Sequence, residues 1–206
     1  MKEVLAMAMT VRNQARVADL LDSNDDTVAR LLAELHQDLP TDERVGLVGR
    51  LVRAVSVHDA VIAEALCPLL CRLPGGATVA DEMREGCELR ESVSAEIIAL
   101  LSGIAARDVY LVPSEGKRLD DLVASLTASF EHHEQAEVPK AVAVVDEDPS
   151  APATEIATAM EHARRWAPTR PHRGPLAHRR AMAAKALLHL LDRMRDLDAR
   201  FNEGTF

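Results

Sequence analysis

The chain is poor in aromatic residues, with one Trp, one Tyr and three Phe among 206 residues. A sheet-based core draws on aromatic and β-branched side chains. With Ala, Leu and Val carrying the apolar fraction, the composition points to helices instead. A basic excess is also missing. The net charge of −9 argues against a general nucleic-acid binder, which needs a cationic face to displace counterions from phosphates, and leaves room only for a local basic patch. There is no apolar run of the ~18 residues that a membrane span requires. The first residues, MKEVLAMAMTVRNQARVADLL, break their apolar stretch at Thr10 and offer no small-residue cleavage site, so the expected location is cytoplasmic. Three cysteines are too few for a disulfide framework in a chain this size. No Gly-rich phosphate loop, nucleophile–base pair or Cys-His zinc spacing is found, and an enzyme is the least favoured class.

What is present is helical periodicity. The capping run DSNDD (22–26) leads into TVARLLAELHQ, with Val28, Leu31, Leu32 and Leu35 on one line. A second helix follows Pro40, with Thr41 as the expected cap. Its core line runs through Val48, Leu51, Val52, Val55, Ile62, Leu66 and Leu69 to the LPGG turn at 73–76. A third is expected over Val79–Ile104, with Val93, Ile97, Leu101 and Ile104 on one stripe. A fourth, after Pro113, carries Leu119, Leu122, Val123, Leu126 and Phe130. Short connections between long amphipathic helices predict antiparallel neighbours, hence an all-α, up-down four-helix bundle over residues 1–145. Residues 146–206 read as a proline-containing linker (DEDPSAPAT), a short helix at about 155–166, an extended WAPTRPHRGP segment and a helical tail from Leu176 to Phe201. Cys67 and Cys71, four apart on one helix, are expected as small buried hydrophobes, with a redox pair as the alternative.

Three placements carry possible chemistry. His58 falls between Val55 and Ile62 on the inward side of its helix; such a histidine must hydrogen-bond or bind a metal. In EHHEQAE (131–137), His133 continues the inward stripe and stacks with Glu137 at i, i+4. The same segment also reads as a solvated acidic face. Asp25 precedes Val28 and Leu32 on the inner side. Together these groups lie on separate helices, the manner in which bundles build metal sites in their cores. A second feature is a basic cluster, His172, Arg173, His178, Arg179 and Arg180, able to dock on the acidic bundle or to meet a phosphate, a nucleic acid or an acidic partner.

The segments HDAVIAEALCPLL and HHEQAEVPKAV, in the order helix, helix ending in H…P-L-L, helix, helix ending in H…E…P, resemble the hemerythrin-like, HHE cation-binding family over roughly residues 15–145. APTRPHRGP with the later DRMRD also resembles the tails of actinobacterial members. The resemblance implies a four-helix bundle with a non-heme di-iron centre used in oxygen binding, sensing or iron handling. It also shows what is missing. The first-helix histidine position is Asp25, the second-helix glutamate position is Ile62, and the third-helix histidine position is Ser94. In the fourth helix, counting back from Pro139 puts Ser129 at the histidine position and His133 at the glutamate position. Sliding by one turn makes His133 and Glu137 the HxxxE pair instead. What remains is His58, His133, Glu137 (or Glu134) and Asp25. This set suits one iron or zinc ion and is too small for an oxygen-carrying pair. The expectation is a single-ion or non-standard non-heme site; the alternative is a metal-free bundle acting as a structural or regulatory protein, with an unknown protein partner or a second copy of itself.

Overall fold

A computed structural model of the protein describes residues 19, 21, 25–105, 111–148, 151 and 153–167. The basic cluster at 172–180, the tail from Leu176 and the first 18 residues lie outside that set. Among the described residues every regular element is helical, and no helix is long and apolar enough to cross a membrane.

Helix α1 spans 25–35 and buries the predicted line Val28, Leu31, Leu32 and Leu35. Helix α2 (Thr41–Val61) has its cap one residue earlier than expected. Pro40 takes the N-cap position with extended backbone (φ −52°, ψ 150°), and Thr41 is the first helical residue. Proline's fixed φ suits that entry, and its carbonyl accepts the Arg44 N–H at 2.9 Å to close the first turn. The helix then widens into a π turn, π1 (Ile62–Leu66), and continues as α3 (Cys67–Leu70). The reversal that follows uses Gly75 at φ +75°. At Gly76 a Cβ would lie 2.0 Å from the Leu70 carbonyl oxygen, so backbone meets backbone there and no side chain fits. Helix α4 (Gly76–Ala105) is the longest among the described residues. Helix α5 (Pro113–His132) begins with the Glu115 carboxylate accepting the Val112 N–H at 3.3 Å. It passes through a second π turn, π2 (His133–Glu137), into α6 (Val138–Glu147), and α7 (Ala153–Trp166) follows.

Side-chain pairs fix the relative directions. Asp25 with His58 and Glu34 with Arg50 set α1 antiparallel to α2. Glu96 with Arg118 and Glu82 with Lys140 set α4 antiparallel to α5 and α6. Arg44 with Asp120 and His58 with His133 show α2 and α5 running in the same direction.

Among the described residues, two apolar clusters make up the core. One gathers Val28, Leu51, Val55, Ile97, Leu126 and Phe130 with their neighbours. The other gathers Ile62, Leu66, Leu70, Ala80, Met83 and Ala141, together with Ile156, Ala157 and Met160 of α7. So part of the segment read as a linker and extension shares a core with the helices before it. The acidic stretch read as linker from residue 146 starts inside α6, which runs to Glu147. The cysteines divide. Cys67 and Cys87 are buried, and burial pushes the Cys67 thiol up to about 12. Cys71 is exposed, because the helix ends at Leu70 and the chain turns away, and its sulfur accepts from Arg84 Nη2 at 3.3 Å. The shared inward face expected for Cys67 and Cys71 is therefore corrected.

Candidate metal centre

Each helix that crosses from one apolar cluster to the other changes character at the same level. On α1 this is Asp25, on α2 His58 and Asp59, on α4 Arg90 and Ser94, and on π2 His133 and Glu137; all seven are buried. Polar groups removed from water must find partners inside the protein, and the pairing in this layer is specific.

His58 Nδ1 lies 3.0 Å from Asp59 Oδ1, and His133 Nδ1 lies 2.7 Å from Glu137 Oε2. A carboxylate only accepts, so each Nδ1 carries a proton and donates it. That fixes the tautomer of both rings and turns both Nε2 atoms inward as lone pairs. The two Nε2 atoms are 3.1 Å apart, and Asp25 Oδ1 lies 2.9 Å from His58 Nε2. Asp25 Oδ1 has no hydrogen bond, because with Nδ1 protonated the His58 Nε2 that it faces offers a lone pair and no N–H. Three acceptor atoms, one each from Asp25, His58 and His133, thus lie within 4.8 Å of one another. Only a positive charge among them, a proton or a metal ion, makes such a cluster stable.

Phe130 forms one wall, its ring edge-on to His58 at 5.3 Å between centroids and tilted against His133 at 6.0 Å. Behind His58, Arg90 Nε donates to Asp59 Oδ1 at 2.8 Å, and its Nη2 approaches Cys87 Sγ at 3.4 Å. Asp59 Oδ2, Arg90 Nη1 and Ser94 Oγ are buried without a hydrogen-bond partner. Gly86 makes room for this arrangement: a Cβ there would stand 2.6 Å from Glu137 Oε1 and 3.2 Å from Arg90 Nη1.

The electrostatics divide the two histidines. Burial works against charge on His58, but the carboxylates of Asp25 and Asp59 beside it outweigh burial, and its pKa is raised. Burial lowers that of His133; Glu137 opposes the shift, while His58 and Arg90 reinforce it. Burial would raise Asp59, but Arg90 and His58 hold it below the usual carboxylate value.

Of the residues singled out in the sequence, Asp25, His58 and His133 meet at one point. Glu137 reaches that point through the His133 ring. Glu134 stays half-buried at the rim, its carboxyl raised by burial and by the nearby Asp25. Ile62 lies fully buried in the second apolar cluster, and Ser129 is half-buried. Sequence reasoning missed Asp59, Arg90, Cys87 and Gly86. A signal for Arg90 exists: Met83, Cys87, Arg90, Ser94 and Ile97 follow one another at helical spacing, and all five are buried. An arginine inside an apolar stripe must have an acidic partner across the core.

Comparison of the chain with protein-family models, with curated proteins and with solved structures finds no match.

Proposed function

We propose that the protein is a hemerythrin-like four-helix bundle that binds a single non-heme metal ion, iron or zinc, on Asp25, His58 and His133. The observation that carries this reading is the convergence of three lone-pair atoms, two of them on histidines whose outer ring nitrogens are already anchored. Metal-bound histidines donate their other ring N–H to a carboxylate, which fixes orientation and raises basicity. Asp59 and Glu137 stand in that role for His58 and His133. Two histidines and one carboxylate make a set suited to zinc with one open position or to non-heme ferrous iron. When bound, such an ion supplies a Lewis acid or, as iron, a redox-active centre. This chain's residues hold it, neutralise it and keep bulk water away. The absence of a third histidine and the isoleucine at position 62 keep the reading to one ion. The role that follows is cation binding for sensing or for iron or oxygen handling.

A second reading has its own support. One extra proton also satisfies the cluster, with His58 as imidazolium donating to Asp59 and towards His133, and the raised His58 pKa favours it. The protein is then a metal-free bundle serving a structural or regulatory interaction. Metal content by mass spectrometry on untagged protein, beside His58→Ala and His133→Ala, separates the two. About one equivalent of iron or zinc, removed by either substitution, is the expected result. Metal-free wild type that stays so after zinc or ferrous loading, with both variants folded, sinks the metal reading.

A further inference from the structure

The buried charges of the polar layer do not cancel. Among the described residues, Asp25, Asp59 and Glu137 bring three buried carboxylates, and Arg90 is the one buried guanidinium. Both histidines are neutral when they act as ligands, and the buried Cys87 thiol is held protonated. Glu134, half-buried at the rim, is partly screened by solvent. The remainder is two negative charges, the complement of a divalent ion.

We infer that the buried Arg90 guanidinium, held in place by Asp59, keeps the layer at two negative charges and so makes the centre selective for divalent over trivalent ions. This rests on the single-ion reading above. Arg90 touches none of the three converging atoms. Its Nε is committed to Asp59, and its Nη1 lies unpartnered close to Gly86, where Glu137 Oε1 also approaches. It therefore acts on a bound ion through the field. Burial makes that field strong, because no water screens it and its counter-charges are fixed by hydrogen bonds. The guanidinium opposes every cation in the centre, and it opposes a trivalent one by a further unit of charge. If the ion is iron, the same field holds it in the ferrous state.

The test is a charge ladder at constant shape. Asp59→Asn keeps an oxygen for both His58 and Arg90 but removes one negative charge. Arg90→Gln removes the positive charge. The double variant Asp59→Asn/Arg90→Gln returns the layer to the wild-type total. Affinities for Zn(II) and for Ga(III), each buffered with nitrilotriacetate, are measured on all four proteins, with circular dichroism to establish folding. The Ga(III):Zn(II) affinity ratio is expected to rise by about a hundredfold in Arg90→Gln and to fall by about a hundredfold in Asp59→Asn, since one unit charge a few ångströms away acts on one extra unit of ionic charge. In the double variant it returns to within a few-fold of wild type. Were Arg90→Gln unfolded, the fall in Asp59→Asn and its recovery in the double variant still decide the matter. A purely structural pair would weaken both ions alike; an unchanged ratio across the series, or a double variant that fails to recover, overturns the inference while leaving the ion site standing. Wild type that binds neither ion overturns the single-ion reading itself, and this inference with it.

Discussion

The turns Ile62–Leu66 and His133–Glu137 are one backbone device built twice. Each is a five-residue π turn closed by a wide hydrogen bond, from Cys67 N–H to the Ile62 carbonyl and from Val138 N–H to the His133 carbonyl. Each begins six residues before a proline, Pro68 or Pro139, that sits at the start of the next helical piece. The reason is local. Proline has no N–H to give and its ring crowds the carbonyl four residues back, so the helix widens there. Yet one turn opens on Ile62 and lies in a dry cluster, while the other opens on His133 and lies in the polar layer. The π turn sets the spacing of a helix; the side chain at its first position decides whether that place holds chemistry. The prolines also put Ser129 in register with His58 and His133 in register with Ile62, whereas hydrogen bonding pairs His133 with Glu137. Backbone register and chemical pairing follow different rules, and π2 obeys both.

Making the second turn resemble the first should have the largest effect. His133→Ile removes one of the three converging ligand atoms and leaves Glu137 buried without its partner. Stoichiometric zinc binding should vanish, and the metal-free protein should lose about 3 kcal/mol, as when one member of a buried polar pair is deleted. Zinc titration and urea unfolding report both; retained stoichiometric zinc would show that His133 is no ligand. The reverse perturbation, Ile62→Ala, should cost about 2–5 kcal/mol through the cavity left in a fully buried site. Zinc stoichiometry should not change. Metal loss in this variant would mean that the dry turn supports the site directly.

A subtler change acts between them. Gly86→Ala would place a Cβ 2.6 Å from Glu137 Oε1. The obstacle is the end of a side chain, so the carboxylate shifts and the fold survives. Its bond to His133 Nδ1 should then weaken, lowering zinc affinity by roughly 10–100-fold, as for other changes behind a metal-bound histidine. Unfolding midpoints within experimental scatter of wild type, together with unaltered affinity, would show that Glu137 has room to spare.

These contrasts also mark what sequence alone discloses. The helices were legible from apolar spacing, because Val28, Leu51, Val55, Ile97 and Leu126 recur at intervals that only a helix brings to one face. His58 and His133 were legible as inward positions on the same grounds. Asp25 was legible through its offset from Val28 and Leu32. Less visible was what they face. Asp59 sits beside His58 in the chain, and nothing in sequence says that it bends back onto the ring Nδ1. Arg90 hides in a helix rich in charge, its partner 31 positions away. Gly86 looks like any glycine in a helix, since the need for it arises from a carboxylate on another element. Local periodicity assigns faces; the partners across the core come from packing. The share of the core supplied by α7 was hidden for the same reason, as Ile156, Ala157 and Met160 follow a break that reads as a linker.

The smallest expected effect separates the two histidines by pH. In the metal-free protein the pKa of His58 is raised above its usual 6.5 and that of His133 is lowered below it. A raised value means that the folded state holds the proton more tightly than the unfolded chain. Its stabilisation is complete below 6.5 and is lost as pH rises through the folded His58 value. A lowered value has the opposite consequence. The contribution of His133 is complete above 6.5 and is lost as pH falls through its folded value. The two slopes meet, so melting temperature measured in EDTA between about pH 5.5 and 8 should pass through a maximum near the ordinary histidine value. His58→Gln should abolish the descending alkaline limb and leave the acid limb intact. Zinc should reverse the alkaline trend in the wild type, because the ion takes the place of the His58 proton and binds more tightly as that proton leaves. A melting temperature that climbs steadily across the range in EDTA would show that His58 is neutral beside Asp25, and the metal-free layer would then lack the one proton that reconciles its three lone pairs.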